Sequence, residues 1–142
     1  MRVNCALLCD AVTIREGLLH ILGGGVTSVS QPEYPSGLQI MVALRISLSP
    51  DEVVKPHSFT LSLKDKTGET LIASGQIKAA ESAEKTIDPD LGGSLALPFS
   101  LSEVQIPRPG TYSIVVSFGT DRIELPFKAE ELNLQLSAEL ES

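Results

Sequence analysis

Apolar and polar residues alternate with a period of two in one stretch after another of this chain, the spacing of strands that turn one face to a core and the other to solvent. The clearest run holds Leu38, Ile40, Val42, Leu44, Ile46 and Leu48, with Gln39, Arg45 and Ser47 on the opposite face beside Met41 and Ala43. It predicts a long, half-exposed strand. Farther on, Tyr112, Ile114, Val116 and Phe118 keep the same step, Gly119-Thr120-Asp121 turns the chain, and Ile123, Leu125 and Phe127 resume it. The stretch from Ile106 to Phe127 therefore reads as a proline-glycine turn followed by a β-hairpin. Phe59, Leu61 and Leu63, the polar turn Lys64 to Gly68, and then Leu71, Ala73, Gly75 and Ile77 predict a second hairpin. Leu95, Leu97, Phe99 and Leu101 add one more strand.

The N-terminal part is denser in apolar residues. Val3 to Cys9 suits a strand buried on both faces, and Asp10-Ala11-Val12-Thr13-Ile14 continues it with one polar interruption. Arg15-Glu16-Gly17 turns the chain, and Leu18 to Leu22 returns as the partner strand, ending in the triple glycine Gly23-Gly24-Gly25. Val26 to Ser30 is strand-like before Pro32 and Pro35 break the pattern, and Ser49-Pro50-Asp51-Glu52 opens a loop that runs to Pro56. From Ala79 to Gly93 the chain is polar, acidic and rich in turn formers, the composition of a flexible loop.

In the tail, Leu132, Leu134, Leu136, Ala138 and Leu140 alternate with Asn133, Gln135, Ser137 and Glu139. A helix competes here, since Ala129-Glu130-Glu131 and the leucines are good helix formers, but the period of two favours a strand. These elements predict an all-β chain: an antiparallel β-sandwich of eight or nine strands, immunoglobulin-like or C2-like. Residues 1–129 form the sandwich domain and residues 130–142 a C-terminal tail that could be an exchanged strand. Leu132, Leu134, Leu136 and Leu140 are then the candidate interaction residues.

Composition narrows the function classes. With 142 residues, 42% hydrophobic and 20% charged, the chain is one globular domain able to fold without disulfides or metals. A formal charge of −7, with eleven scattered Lys and Arg, argues against nucleic acid and against an anionic membrane surface. Asp10 interrupts the first apolar run too early for a signal peptide, and the uncharged stretch Gly37 to Leu44 is too short to span a bilayer. A soluble, cytoplasmic protein is expected. Cys5 and Cys9, four residues apart on one strand, would lie roughly 13 Å apart, too far to bridge, and read as structural thiols.

Candidate chemistry is thin. Cys9, His20 and Asp10 suggest a nucleophilic triad, but residues 9 and 10 would point to opposite faces of a strand. The triple glycine lacks the following helix and the lysine of a phosphate cradle. Asp88-Pro89-Asp90-Leu91-Gly92-Gly93, with Glu81 and Glu84 nearby, is the one acidic cluster that could hold calcium, although Phe99 stands where a closing Glu would be needed. Phe59, Phe99, Phe118, Phe127 and Tyr112 belong to apolar faces, which leaves Tyr34, between Pro32 and Pro35, as the aromatic expected near the surface. No catalytic, cofactor or metal residue is assigned, and an enzyme is not expected.

Ala6-Leu7-Leu8-Cys9-Asp10-Ala11, followed by Arg15-Glu16-Gly17-Leu18-Leu19-His20-Ile21-Leu22-Gly23-Gly24-Gly25, resembles a family of small bacterial proteins known only as a domain of unknown function. The closing Pro109-Gly110-Thr111-Tyr112 and Leu125-Pro126-Phe127 are similar to the same family. The resemblance spans most of residues 3 to 128. It implies a small, soluble, β-rich domain and brings no catalytic motif. The expectation is a non-enzymatic domain acting through protein contacts, as a homo-oligomer or within a larger assembly. A metal-binding or small-molecule module built on the Glu81 to Gly93 loop is the alternative.

Overall fold

The computed structural model describes residues 1–53, 55–77, 90 and 92–132. Within them the chain is all-β, with one single-turn helix. The strands are β1 (Arg2–Cys9), β2 (Ala11–Arg15), β3 (Leu18–Leu22), β4 (Ser28–Gln31), β5 (Ser36–Gly37), β6 (Met41–Leu48), β7 (His57–Asp65), β8 (Gly68–Ile77), β9 (Gly93–Ser100), β10 (Gln105–Ile106), β11 (Gly110–Phe118) and β12 (Asp121–Glu131), and α1 is Pro50–Val53. Twelve strands exceed the eight or nine expected. Asp10 splits the first run into β1 and β2, and the two-residue strands β5 and β10 pair only with each other, too briefly to leave a periodic signal.

A three-stranded sheet in the order β1-β6-β9 faces a five-stranded sheet in the order β4-β12-β11-β7-β8. Leu8, Val42, Leu44, Ile46 and Leu48 from the first and Leu61, Ile114, Val116, Phe118 and Phe127 from the second belong to one buried cluster. Phe59 is partly buried against this cluster, its ring 5.4 Å from Phe99 across the sheets and 5.7 Å from Phe118 beside it. All six apolar residues from Leu38 to Leu48 are buried, although only those from Met41 onward lie in the strand.

The turns explain why the hairpins close where the pattern ends. Glu16 and Gly17, with φ of 55° and 74°, form a two-residue loop between Arg15 and Leu18, the mirror-image turn that matches strand twist. Between β7 and β8 the Asp65 carboxylate accepts the amides of Thr67 at 2.7 Å and Gly68 at 3.1 Å. At the start of β11 the Tyr112 hydroxyl donates to the Arg108 carbonyl at 2.6 Å and the ring stacks on Phe127, fixing the entry of the chain across Pro109-Gly110.

Several placements depart from expectation. β1 pairs with β6, while β3 pairs only with β2, so the first apolar run does not form one continuous partner for Leu18 to Leu22. The β2–β3 hairpin instead lies over the outer face of the three-stranded sheet, where Cys9, Val12 and Ala43 make a second buried cluster with Leu7, Leu19, Ile21 and Met41 packed on it. The hairpin therefore covers the outer face of β6 at Met41 and Ala43, while Arg45 and Ser47 farther along that face stay partly exposed. Residues 50–53 form α1 rather than loop, with the Ser49 amide donating to the Glu52 carboxylate at 2.9 Å. Tyr34 lies near the surface as expected, on the groove beside β4, with its hydroxyl donating to the Glu130 carbonyl at 2.6 Å. β4, whose existence the sequence suggested, pairs in parallel with β12.

Candidate functional site

The residues that could have carried chemistry are not gathered. Cys9 is buried beneath the hairpin, its thiol donating to the Met41 carbonyl at 3.7 Å; burial first, and the Asp10 carboxylate second, push its pKa up, away from a reactive thiolate. His20 stands exposed on β3 opposite Thr13. Asp10 is exposed between β1 and β2, its amide tied to the Leu22 carbonyl at 3.0 Å. His57 donates through Nε2 to the Glu52 carbonyl at 2.7 Å, a contact that joins α1 to β7. Cys5 and Cys9 are both free thiols, in keeping with their reading as unbridged.

The triple glycine is a crossover. Gly25 and Val26 both donate to the Leu8 carbonyl, at 2.8 and 3.0 Å, and carry the chain from the hairpin toward β4. Gly23 adopts φ of 61° with the Asp10 side chain against it, a position that suits glycine. Among the described residues no group of three or more His, Cys, Asp or Glu could hold a metal ion. The Glu81 to Gly93 loop is described only at Asp90, Gly92 and Gly93, so the calcium alternative falls outside the described residues. Of the candidate interaction residues, Leu132 is 41% exposed, and its amide donates to the Gln31 carbonyl at 2.9 Å, prolonging the β4–β12 pairing. Leu134, Leu136 and Leu140 lie outside the described residues.

Among the described residues three surfaces stand out. The first is the outer face of the β2–β3 hairpin, where Leu18 and Leu22, at 51% and 71% exposure, flank His20 and pair across to Arg15 and Ala11. The second is the outer edge of β8, which pairs with no further strand among the described residues, beside an open groove of about 560 Å³ lined by Leu63, Leu71, Ile72, Ala73 and Val104 among others. Leu71 was expected inside with Ala73, yet it is 60% exposed. The pairing register slips between Leu61 and Ser62, leaving Ile72 as an extra residue that turns Leu71 to the outer face opposite Ser62. A one-residue bulge of this kind leaves no mark in the alternation. The third surface is a groove of about 420 Å³ between β4 and residues 36–40, lined by Asp10, Ser28, Ser30, Gln31, Tyr34 and Gln39 among others.

A family of unknown function, DUF6941, matches residues 4–129, which takes in nearly all of β1 and most of β12. The chain belongs to this family. The match stops at Ala129, short of the alternating leucines of the tail. No curated protein matches the chain. Among the described residues no helix is long and apolar enough to cross a membrane.

Proposed function

We propose that this chain is a non-enzymatic β-sandwich that acts through protein contacts, self-associating or serving as a unit of a larger assembly. The shared core between its two sheets and the hydrogen bond from Tyr112 back to Arg108 support a sandwich of immunoglobulin-like type, in which such a tyrosine braces the corner between sheets. Two unbridged thiols support a reducing compartment such as the cytoplasm.

The observation that carries the reading is the pair of leucines, Leu18 and Leu22, on the outward face of the hairpin. Their neighbours Leu19 and Ile21 already pack inward on Cys9 and Ala43, so the outward pair contributes nothing to that core. Burying a leucine is worth about 1.5–3 kcal/mol, which a contact at this face would recover twice. The tail, with Leu132 exposed at its start and Leu134, Leu136 and Leu140 beyond, would supply a further contact by pairing as an added strand.

Light scattering across a concentration series tests this. The full chain is expected to exceed its 15.1 kDa monomer mass, and Leu18→Glu with Leu22→Glu should lower that mass at an unchanged melting temperature. Deletion of residues 133–142 in parallel measures the share of the tail. A chain that stays monomeric at every concentration would falsify the self-associating form of the proposal.

A further inference from the structure

The β2–β3 hairpin is attached to the sandwich by its root and by one small apolar patch. Among the described residues, the backbone hydrogen bonds around it all lie at that root: the Asp10 amide reaches the Leu22 and Gly23 carbonyls, at 3.0 and 3.3 Å, and Gly25 and Val26 donate to the Leu8 carbonyl. From Val12 to Ile21 the two strands pair only with each other.

The patch beneath the hairpin is separate from the core between the sheets. Cys9, Val12 and Ala43 are its buried members, and of these only Val12 belongs to the hairpin. Leu19 and Ile21 are half-buried, and Ile14, which shares the inward face with Val12, is 36% exposed, so the packing thins from root to tip. No residue of this patch belongs to the core between the sheets. Lifting the hairpin would therefore leave the interior of the sandwich intact. A two-stranded ribbon is marginal in water by itself, and an element with few buried contacts opens at a lower free energy than the whole domain.

The root has the form of a hinge. Asp10 is the single residue between β1 and β2, and Gly23 returns beside it with φ of 61°, a backbone state that glycine enters and leaves at little steric cost. The bonds from Gly25 and Val26 to Leu8 lie on the sandwich side of this point and hold when the hairpin moves. We infer that the β2–β3 hairpin is a lid that swings about Asp10 and Gly23 while both sheets stay paired, and that its opening uncovers the thiol of Cys9.

Cys9 is the last residue of β1, paired with Met41, so it stays with the sandwich when the lid lifts. In the closed state it has no exposure, and its thiol donates to the Met41 carbonyl. The cover that Val12, Leu19 and Ile21 give it is also the burial that keeps the thiol protonated, so access and reactivity are gained together on opening. A thiol shielded by a lid reacts in proportion to the time the lid is open.

The test uses the full-length chain carrying Cys5→Ser, which leaves Cys9 as its sole cysteine. A dilute aromatic disulfide is added, and the Cys9 sulfur displaces its coloured thiolate, so absorbance follows the reaction. With reagent dilute enough that closing outpaces reaction, the rate reports the open population. Cys9 is expected to react faster than global unfolding permits, with a rate that rises less steeply in urea than the global unfolding constant does. Ile21→Ala, in the lid, should raise the rate at low urea by about tenfold or more. Val116→Ala, in the core between the sheets, should lower the urea midpoint and leave that rate within about twofold. Where Ile21→Ala fails to fold, Ile21→Val should shift the rate in the same direction. A Cys9 rate with the magnitude and urea slope of global unfolding would overturn the lid, and so would equal acceleration by the Ile21 and Val116 variants or a rate as fast as in the unfolded chain.

Discussion

The outer faces of the two sheets are built from the same alternating pattern and meet different fates. On the three-stranded sheet the outward residues Leu7, Cys9, Met41 and Ala43 lie under the β2–β3 hairpin, and Ala43 is fully buried. On the five-stranded sheet the outward residues include Thr60, Ser62, Ser113 and Ser117, with Lys64, Glu69, Arg122 and Glu124 forming a lattice of ion pairs above them. Val115 is buried on this bare face although it belongs to neither core cluster. It sits between Ser62 and Glu124 across the strands, where the stems of the charged side chains can cover it. Among the described residues one face is roofed by folding a further piece of chain over it, and the other is roofed only locally, by its own ions.

If the hairpin is a packed layer, small changes beneath it should be felt. Ala43→Leu is expected to cost about 1–3 kcal/mol through overpacking, while Thr60→Leu on the bare sheet should stay within about 0.5 kcal/mol. Urea unfolding of the two variants compares them, and equal effects would mean that the hairpin does not pack as a layer.

The seam between the sheets gives the next effect. The amino group of Met1, at the head of β1, pairs with the Glu52 carboxylate in α1, the segment that joins β6 to β7. That amine, together with the Ser49 amide, lowers the Glu52 pKa from 4.5 to about 2. Because the folded value is the lower one, the contribution of Glu52 is present above pH 4.5 and is lost as pH falls through the interval toward 2. Wild type should therefore lose stability over that interval more steeply than Glu52→Gln, and parallel acid-melting profiles would dismiss the seam.

Smallest of all should be the loss of an ion pair from the bare face. Lys64 lowers the Glu124 pKa, and Glu69 raises that of Arg122, but all four groups are solvent-accessible. Arg122→Ala is expected to give a slight fall in melting temperature that disappears in 1 M salt. A fall that persists in salt would show that Arg122 acts by covering Val115 rather than by its charge.

The legible part of the fold is the part written in local order. β7–β8 and β11–β12 could be read because each joins two alternating runs by a turn with polar or glycine residues at its tip. The cover over Met41 and Ala43 on the outer face of β6 could not, because it comes from the β2–β3 hairpin far earlier in the chain, and alternation reports only one face. The parallel pairing of β4 with β12 has no local signal at all. The place of Tyr34 near the surface is legible from the prolines around it, but nothing nearby in sequence announces the Glu130 carbonyl that holds it. Of the candidate surfaces, the tail was visible as a stripe of leucines. The outward leucines of the hairpin are legible only as strand residues, because which face of a two-stranded ribbon meets the core depends on where the ribbon docks.

Joining β4 to β12 also imposes a schedule on the newborn chain. Glu130, the acceptor for Tyr34, lies 96 residues downstream, and at roughly 5–20 residues per second of synthesis β4 waits on the order of 5–20 s for its strand partner β12. The five-stranded sheet cannot be completed before β12 has been made, so the nascent chain must hold open, until then, the part of its core that Phe127 and Ala129 close.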